Sequence, residues 1–298
     1  MLLRIISVVL LTATPALAEW RAKEVTHETY PAAAFAEQQQ PAATITDAGL
    51  PDGLIATGSR DIAAAWYEEP TTRYAHAILG DAVEAGSLTV RLTDGTQLSV
   101  DLPNEEVFED RYPRLADLDQ DGRDEVITIR ASRTGGGGGG VAVYHVVEGK
   151  LVEASHVPTI GQSNRWLNIA GIADFHPAPG LEVAFVRTPH IGGTLRLFGW
   201  RADKLRLIDE EYGYSNHAIG SPEMRLSATA DLSGDGYADM ALPSADRRHL
   251  KIVTFAEGVE ILAEVALPSR VEKAILFDAG AFIVGTRDGK VYRISPDE

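Results

Sequence analysis

Two nine-residue acidic loops contain the side chains of this chain that are best suited to binding a metal ion. Each loop offers oxygen atoms at its positions 1, 3, 5 and 9, with glycine at position 6, where the backbone must turn sharply. Hard cations such as Ca²⁺ take six to eight oxygen ligands, carboxylates prominent among them. We therefore expect Ca²⁺ in both loops. The expected ligands are Asp117, Asp119, Asp121 and Glu125 in the first loop, and Asp231, Ser233, Asp235 and Asp239 in the second.

A third, eroded copy of the loop begins at Asp174 and ends at Glu182. The three leading aspartates, at 117, 174 and 231, are 57 residues apart, and this constant spacing indicates a repeat architecture. In the eroded copy His176 and Ala178 stand where oxygen ligands are needed, so we expect a turn without metal. The full loops lack the glutamate that an EF-hand carries at position 12. Plain Asp- and Gly-rich turns remain an alternative to metal sites.

Short β-type runs separated by Gly, Pro and Asp turns fill the chain from about residue 46 onward, and they predict an all-β fold. Apolar runs that end in aspartate head the units, at positions 47, 81, 117, 174, 231 and 278. Units of this size with three or four antiparallel strands are typical of propeller blades. We expect a single β-propeller over residues 46–298, with six blades, although the spacings also permit five or seven. The last unit is short, so the N-terminal segment should supply its outer strand and close the ring. Apart from this strand, we expect residues 19–45 to form an irregular arm.

The two full loops, each followed by an apolar strand, resemble the FG-GAP/VCBS-type repeats, which also form the calcium-loop repeats of integrin α-subunit heads. The pattern is matched by Asp117 to Glu125 with Val126-Ile-Thr-Ile129, and by Asp231 to Asp239 with Met240-Ala-Leu242. This resemblance implies a β-propeller that holds Ca²⁺ in loops on one face. It does not imply a ligand, because the same fold supports many functions.

The N-terminus has the features of a secretory signal peptide: a charged Arg4, an apolar run over residues 5–12, and an Ala-Leu-Ala sequence that ends at Ala18. We expect cleavage after Ala18 and a periplasmic or secreted protein. The apolar run is too short to span a bilayer. The net charge of −16 argues against nucleic acid and anionic membranes as partners, and the chain has no cysteine for a disulfide. We expect a monomer.

The arginines recur at the opposite ends of the predicted strands from the acidic loops. Just before the first strand of a unit lie Arg73, Arg111, Arg165 and Arg270, and in the turn between the second and third strands lie Arg60, Arg130, Arg187, Arg247 and Arg287. Guanidinium groups suit planar anions such as carboxylates, uronic acids and phosphates. We therefore expect an anion-binding funnel on this face. Its candidate ligand-binding residues are Arg73, Arg111, Arg165, Trp166, His217 and Arg225. The alternative is that these arginines pair with acids of neighbouring units.

No nucleophile motif or paired-histidine metal spacing stands out, so binding is favoured over catalysis. The expected function is a binding module for a protein or for an anionic small molecule or saccharide. One alternative is a propeller lyase or hydrolase that acts on an acidic saccharide in the same funnel, with His217 or Tyr112 as the base beside Arg111 or Arg225. Another is a scaffold in the cell envelope. The glycine run at 135–140 lacks the Lys-Ser/Thr of a P-loop and is expected to be a flexible turn on this face.

Overall fold

The computed structural model describes residues 19–134 and 136–297, so the expected signal peptide lies outside the described residues. The all-β prediction is confirmed. The helical content consists of two 3₁₀ turns, Ala32–Phe35 and Ala42–Thr44, in the described part of the chain. None of the helices described there has the length and apolar character needed to cross a membrane.

The strands are short and antiparallel. In chain order they are β1 (Trp20–Val25), β2 (Ala56–Thr57), β3 (Ile62–Thr71), β4 (Glu84–Leu92), β5 (Gln97–Asp101), β6 (Glu106–Phe108), β7 (Arg114–Ala116), β8 (Glu125–Ser132), β9 (Gly138–Val147), β10 (Lys150–His156), β11 (Leu167–Ala173), β12 (Glu182–Arg187), β13 (Thr194–Trp200), β14 (Leu205–Tyr212), β15 (Ala228–Ala230), β16 (Asp239–Pro243), β17 (His249–Thr254), β18 (Glu260–Ala266), β19 (Val271–Asp278), β20 (Ala281–Thr286) and β21 (Val291–Pro296).

Strand pairing organises the described residues into five four-stranded meanders. Meander 1 (β2 to β5) and meander 2 (β7 to β10) are joined by β6 into one nine-stranded sheet, whereas β11 to β14 form meander 3 and β15 to β18 form meander 4. Meander 5 has the order β1-β21-β20-β19. As expected, the N-terminal segment supplies the outer strand of the last unit, with Trp20 opposite Pro296 and Val25 opposite Val291. The segment 19–45 is therefore not irregular throughout.

Four of the six predicted unit headers are strands, namely β7, β11, β15 and β19. The headers at 47 and 81 are wrong. Asp47 follows the second 3₁₀ turn, and Ala77 and Gly80 lie in the loop between β3 and β4 with φ of 56° and 117°, values that a strand does not adopt. The apolar residues Ile78 and Leu79 of this loop are buried because they cover the core, and burial without strand geometry produced the misleading pattern.

A hydrophobic cluster lies between each pair of successive meanders. Residues that share a cluster across the four boundaries are Tyr67 with Tyr144, Ile129 with Phe185, Leu197 with Phe255, and Ile252 with Phe282. The N-terminal arm packs against the first and the last meander. Phe35 packs with Ile283 of meander 5, and Ala42 packs with Trp66 of meander 1. The arm is therefore part of the core.

The glycine run is more ordered than the sequence suggested. Gly138, Gly139 and Gly140 are buried residues at the start of β9, and Gly135 lies outside the described residues. A Cβ atom on Gly138 would lie 2.4 Å from the Gln162 carbonyl oxygen, and one on Gly140 would lie 2.8 Å from the Val157 carbonyl oxygen. Glycine is needed here because the backbone of the 157–165 segment packs directly against β9.

Candidate metal loop and ligand cavities

The first acidic loop connects β7 to β8 and brings three carboxylates together. Oxygen atoms of Asp117, Asp119 and Glu125 all lie within 4.8 Å of one another, close enough to hold one metal ion. Asp117 Oδ1 is buried without a hydrogen-bond partner, and Asp117 Oδ2 accepts a hydrogen bond from the Gly122 amide at 3.0 Å. A buried carboxylate oxygen left without a donor is what a cation site needs. The donor set therefore fits a hard divalent cation.

The electrostatics of this loop are unfavourable without a cation. The pKa of Glu125 is raised to about 7, chiefly by burial. The hydrogen bond from the Leu118 amide opposes this rise, and the charges of Asp119, Asp121 and Asp117 add to it. The Leu118 amide donates to Glu125 Oε2 at 2.8 Å and so fixes the direction of the carboxylate. A bound cation would relieve the mutual repulsion of these carboxylates.

The structure does not bring every predicted ligand into the group. Asp121 accepts a hydrogen bond from the Arg123 amide at 2.9 Å and lies outside the close triad. In residues 19–134 and 136–297, Asp117, Asp119 and Glu125 form the one such cluster of three acidic or imidazole side chains. Arg60, from the turn between β2 and β3, adds a positive charge 3.3 Å from Asp117 Oδ2.

The second full loop is held by its own backbone. Asp231 accepts hydrogen bonds from the amides of Gly234 and Gly236, at 2.7 and 3.2 Å, and Asp239 Oδ2 accepts from the amides of Leu232 and Ser233, both at 2.8 Å. Asp235 likewise accepts from the Tyr237 amide at 2.8 Å. The described geometry of the predicted ligands Asp231, Ser233, Asp235 and Asp239 is that of an Asp-rich turn rather than a gathered ligand set.

The eroded loop shares the turn but not the acids. Glu182 Oε2 accepts hydrogen bonds from the amides of Phe175 and His176, as Asp239 does in the second loop. His176 Nδ1 accepts from the Ala178 amide at 3.1 Å. In all three loops the ninth residue accepts hydrogen bonds from backbone amides at the start of the turn. This shared role explains why the eroded loop keeps an acidic ninth residue although it lacks the other ligands.

Two of the arginines predicted for the funnel bind a carboxylate that belongs to the chain itself. Arg111 donates to Glu37 Oε2 of the N-terminal arm at 2.7 Å and to Asp52 Oδ2 at 3.0 Å. Arg225 pairs with Glu223 at 2.8 Å, donates to the Phe35 carbonyl at 2.7 Å and lies 3.9 Å from Glu37. The alternative that these arginines pair internally is what the structure shows for Arg111 and Arg225.

The remaining predicted arginines differ from each other. Arg73 donates to the Glu106 carbonyl through Nε at 2.8 Å and thereby braces the chain before β6. Arg165 is half-buried and donates to the Asn164 carbonyl at 3.1 Å. Arg165 borders a cavity together with Trp166, and Arg225 lines a separate cavity with Tyr112.

Trp166 and His217 are both buried, so neither is an exposed ligand contact. Trp166 is 2 % exposed and donates its indole N–H to the Glu109 carbonyl at 2.9 Å. The His190 ring stacks on Trp166 at 6.2 Å between centroids, and His217 packs edge-on at 4.6 Å. Burial, then His190, lowers the pKa of His217 to about 3, so His217 is neutral at physiological pH.

An arginine-lined cavity lies beside His190, in the turns of meanders 4 and 5. It has a volume of about 440 Å³, and Arg247, Arg270 and Arg287 line it together with Glu272. Arg247 Nη2 and Arg287 Nε lie 3.8 and 3.9 Å from the same oxygen of Glu272, longer than a direct hydrogen bond. Asp246 is the other acid in the lining, so the arginines are in excess. We call this space the arginine cavity.

A smaller cavity of about 150 Å³ adjoins the first and shares His190 and Ile219 with it. Its other lining residues include His76, Arg165 and Trp166. His76 Nδ1 lies 2.5 Å from Oε1 of the fully buried Glu109, whose Oε2 has no hydrogen-bond partner. Burial raises the pKa of Glu109 well above its ordinary range. We call this space the histidine cavity.

Sequence reasoning selected Arg165 and Trp166 of the histidine cavity, but it did not select the other arginines and histidines that define the two cavities. Arg247, Arg270 and Arg287 stood in the correct turns, and their recurrence on one face was the available signal. His76 and His190 carried no such signal, because they are far apart in the chain and come together only when the loops of meanders 1 and 3 meet. Which arginines are paired internally depends on where the arm lies, and the repeat pattern does not record that.

Comparisons with known proteins bear on the fold alone. No protein-family model matches the chain, and no curated protein matches it either. The structure is similar to that of a rhamnogalacturonan lyase PL11 from Bacillus licheniformis, with a TM-score of 0.51 and 12 % sequence identity. The similarity covers 87 % of this chain and 52 % of that one, so this chain spans about half the length of the lyase.

Proposed function

We propose that this protein is an exported, calcium-stabilised β-propeller that binds an acidic saccharide in the arginine cavity. The propeller is supported by five successive meanders, by a hydrophobic cluster at each of the four boundaries between them, and by the pairing of β1 with β21. On this proposal the blades number five rather than six. The arm is a wedge between the last blade and the first, since it packs on meanders 5 and 1 through different residues.

The observation that carries the ligand proposal is the excess of arginine around Glu272. Arg247 Nε is buried without a hydrogen-bond partner. Burial lowers the pKa of Arg247 and Glu272 opposes this, but Arg270 and Arg287 lower it again. A ligand carboxylate would supply the missing acceptors, and arginine forks bind carboxylates in a bidentate manner. The volume of about 440 Å³ is that of a small-ligand site.

The calcium proposal is carried by the buried, unpartnered oxygen of Asp117. On this proposal Asp117, Asp119 and Glu125 hold the ion, and solvent completes its coordination. The bound cation would screen the mutual repulsion of the carboxylates and stabilise the link between β7 and β8. The resemblance to FG-GAP/VCBS-type repeats and the N-terminal signal sequence both favour this role, since an exported protein meets higher Ca²⁺ concentrations than a cytosolic one.

The ligand proposal is tested by calorimetric titration of galacturonate, polygalacturonate and inorganic phosphate into the mature protein. Replacing Arg270→Ala or Arg287→Ala, both exposed, should weaken uronate binding about tenfold or more, because each loses a charged hydrogen bond of about 1.5–3 kcal/mol. Arg248→Ala is the matched control, since Arg248 lies on the same turn as Arg247 but does not line the cavity. Equal affinity in all four proteins would refute the site, and a preference for phosphate would refute the saccharide.

A second candidate function is cleavage of such a saccharide. It is favoured by the histidine cavity, which places two imidazoles directly beside the proposed carboxylate site. The similarity to a saccharide-cleaving enzyme concerns the fold, and it raises this candidate without assigning a reaction. The residues predicted as a base from sequence, His217 and Tyr112, are unsuited: His217 Nε2 donates to the Ser221 carbonyl at 2.8 Å, and Tyr112 is buried under Arg114.

A further inference from the structure

The hydrogen bonds around His190 fix its tautomer. A carbonyl oxygen only accepts, so the contact of His217 Nε2 with the Ser221 carbonyl at 2.8 Å puts the proton of His217 on Nε2. The neutral His217 ring therefore has a lone pair on Nδ1. His190 Nε2 lies 2.9 Å from that nitrogen and must donate to it. Burial lowers the pKa of His190 to about 4, so this ring is neutral at physiological pH and its Nδ1 is a lone-pair acceptor. His190 borders both cavities.

His76 has the opposite arrangement. Its Nδ1 is occupied by Glu109, a carboxyl group that is completely buried beside a second buried acid, Glu84. Burial first, then the charge of Glu109, raises the pKa of Glu84 to about 9. Two buried acids this close retain protons that isolated carboxyls would lose. When one proton lies between Glu109 and His76 Nδ1, the other proton of the imidazole is on Nε2. Nε2 is the ring nitrogen that is available to the histidine cavity.

We propose that the histidine cavity is an acid–base centre for β-elimination, in which His190 Nδ1 accepts a proton and His76 Nε2 donates one. The inference rests on the proposed function, because a uronate carboxylate held by the arginine cavity must present the adjacent carbon–hydrogen bond to His190. The two imidazoles offer complementary nitrogens, a lone pair on His190 Nδ1 and an N–H on His76 Nε2, and a base and an acid are what this reaction needs. Arg165 and Arg247, which flank the two imidazoles, would stabilise negative charge developing on the carboxylate.

The reaction balances without water, an oxidant or a reductant. His190 Nδ1 takes the hydrogen from the ring carbon that bears the carboxylate, and the electrons of that bond form a double bond to the next ring carbon. The bond from this second carbon to the glycosidic oxygen breaks, and the leaving oxygen takes the proton of His76 Nε2. The proton shared with Glu109 then rests on Nδ1. Exchange with solvent afterwards returns His190 and the His76–Glu109 pair to their starting states.

The test follows the ultraviolet absorbance of the unsaturated product when the mature protein is incubated with polygalacturonate, alginate or rhamnogalacturonan in the presence of Ca²⁺. His190→Gln and His76→Gln should each lower kcat/KM about 100-fold or more, the usual contribution of a general acid or base. Both should bind the polysaccharide within about threefold of the unmodified protein. His156→Gln, at an exposed histidine of β10, is the matched control and should retain the full rate.

The outcomes separate the two proposals. Binding without product from any of the three polysaccharides would overturn the acid–base centre and leave the binding function standing. Absence of both binding and product would overturn the two together. Product formation that survives both substitutions would overturn the assigned residues. If either variant fails to fold, nitrogen-15 NMR of the unmodified protein still decides the key premise, since a proton on His190 Nδ1 at neutral pH would refute it.

Discussion

Replacing Glu37 tests whether the N-terminal arm is clamped to the sheets by its carboxylate. Glu37 and Arg111 have side chains only 18 % and 10 % exposed, and their contact is 2.7 Å long. Hydrogen bonds between charged groups contribute about 1.5–3 kcal/mol. In Glu37→Ala, Arg111 keeps Asp52 at 3.0 Å, so its charge is not left alone. We therefore expect a loss of about 1.5–3 kcal/mol in the free energy of unfolding.

The reverse substitution should cost more. Arg111→Ala leaves the carboxylates of Glu37 and Asp52 facing each other without their guanidinium, and an uncompensated buried charge costs about 3–5 kcal/mol. Urea unfolding followed by tryptophan fluorescence measures both values. Glu210→Ala is the control, because Glu210 pairs with Arg196 at 2.7 Å but is 49 % exposed, and such surface pairs contribute less than about 1 kcal/mol. The reasoning is refuted if Glu37→Ala costs no more than this control, or if Arg111→Ala costs no more than Glu37→Ala.

Three further predictions concern the loops and turns. Calcium at one hundred times its Kd should add about 2.7 kcal/mol to the free energy of unfolding, and should therefore raise the Tm, of the unmodified protein and of Asp231→Asn but not of Asp117→Asn, as read by thermal unfolding with Ca²⁺ or EDTA. Burial raises the pKa of Glu182 from an ordinary 4.5 to about 7, so its contribution to the free energy of unfolding should fall by about 3 kcal/mol as pH rises from 4.5 to 7, and Glu182→Gln should remove this part of the pH dependence in urea titrations. Gly138→Ala should cost about 2–4 kcal/mol through its positive φ and the overlap with a carbonyl, whereas Gly95→Ala, with open space around it, should cost about 1–2 kcal/mol in the same assay.

The repeated loop was the most reliable guide in the sequence. It located β7, β11 and β15 and the strands that follow them, because an aspartate that must turn the chain and accept backbone amides leaves a fixed pattern at a fixed spacing. The pattern failed at residue 81, where buried apolar residues lie in a loop with positive φ. Apolar residues indicate burial rather than strand geometry. A strand before residue 81 is predicted only because its apolar run resembles those of the true copies.

The ligand face was predictable in kind but not in detail. The recurrence of arginine placed positive charge at one end of the strands, and the structure does gather Arg247, Arg270 and Arg287 there. The same recurrence gave no means of separating them from Arg111 and Arg225, which hold Glu37 of the arm. The contacts of Arg111 and Arg225 with Glu37 join residues 74 positions apart or more, and single-sequence patterns carry no information about such contacts.

The separation between the metal loop and the cavities decides how calcium can act. Glu125 begins β8 and Ser132, seven residues later, ends it, which is a distance of about 23 Å at about 3.3 Å per residue. The far end of β8 leads to Arg133, whose carbonyl accepts a hydrogen bond from Ser163, two residues before Arg165 of the histidine cavity. This distance exceeds the Debye length of about 8 Å at physiological ionic strength. A calcium requirement for ligand binding or turnover would therefore report the stability of the fold, and the requirement should disappear at temperatures well below the Tm of the calcium-free protein.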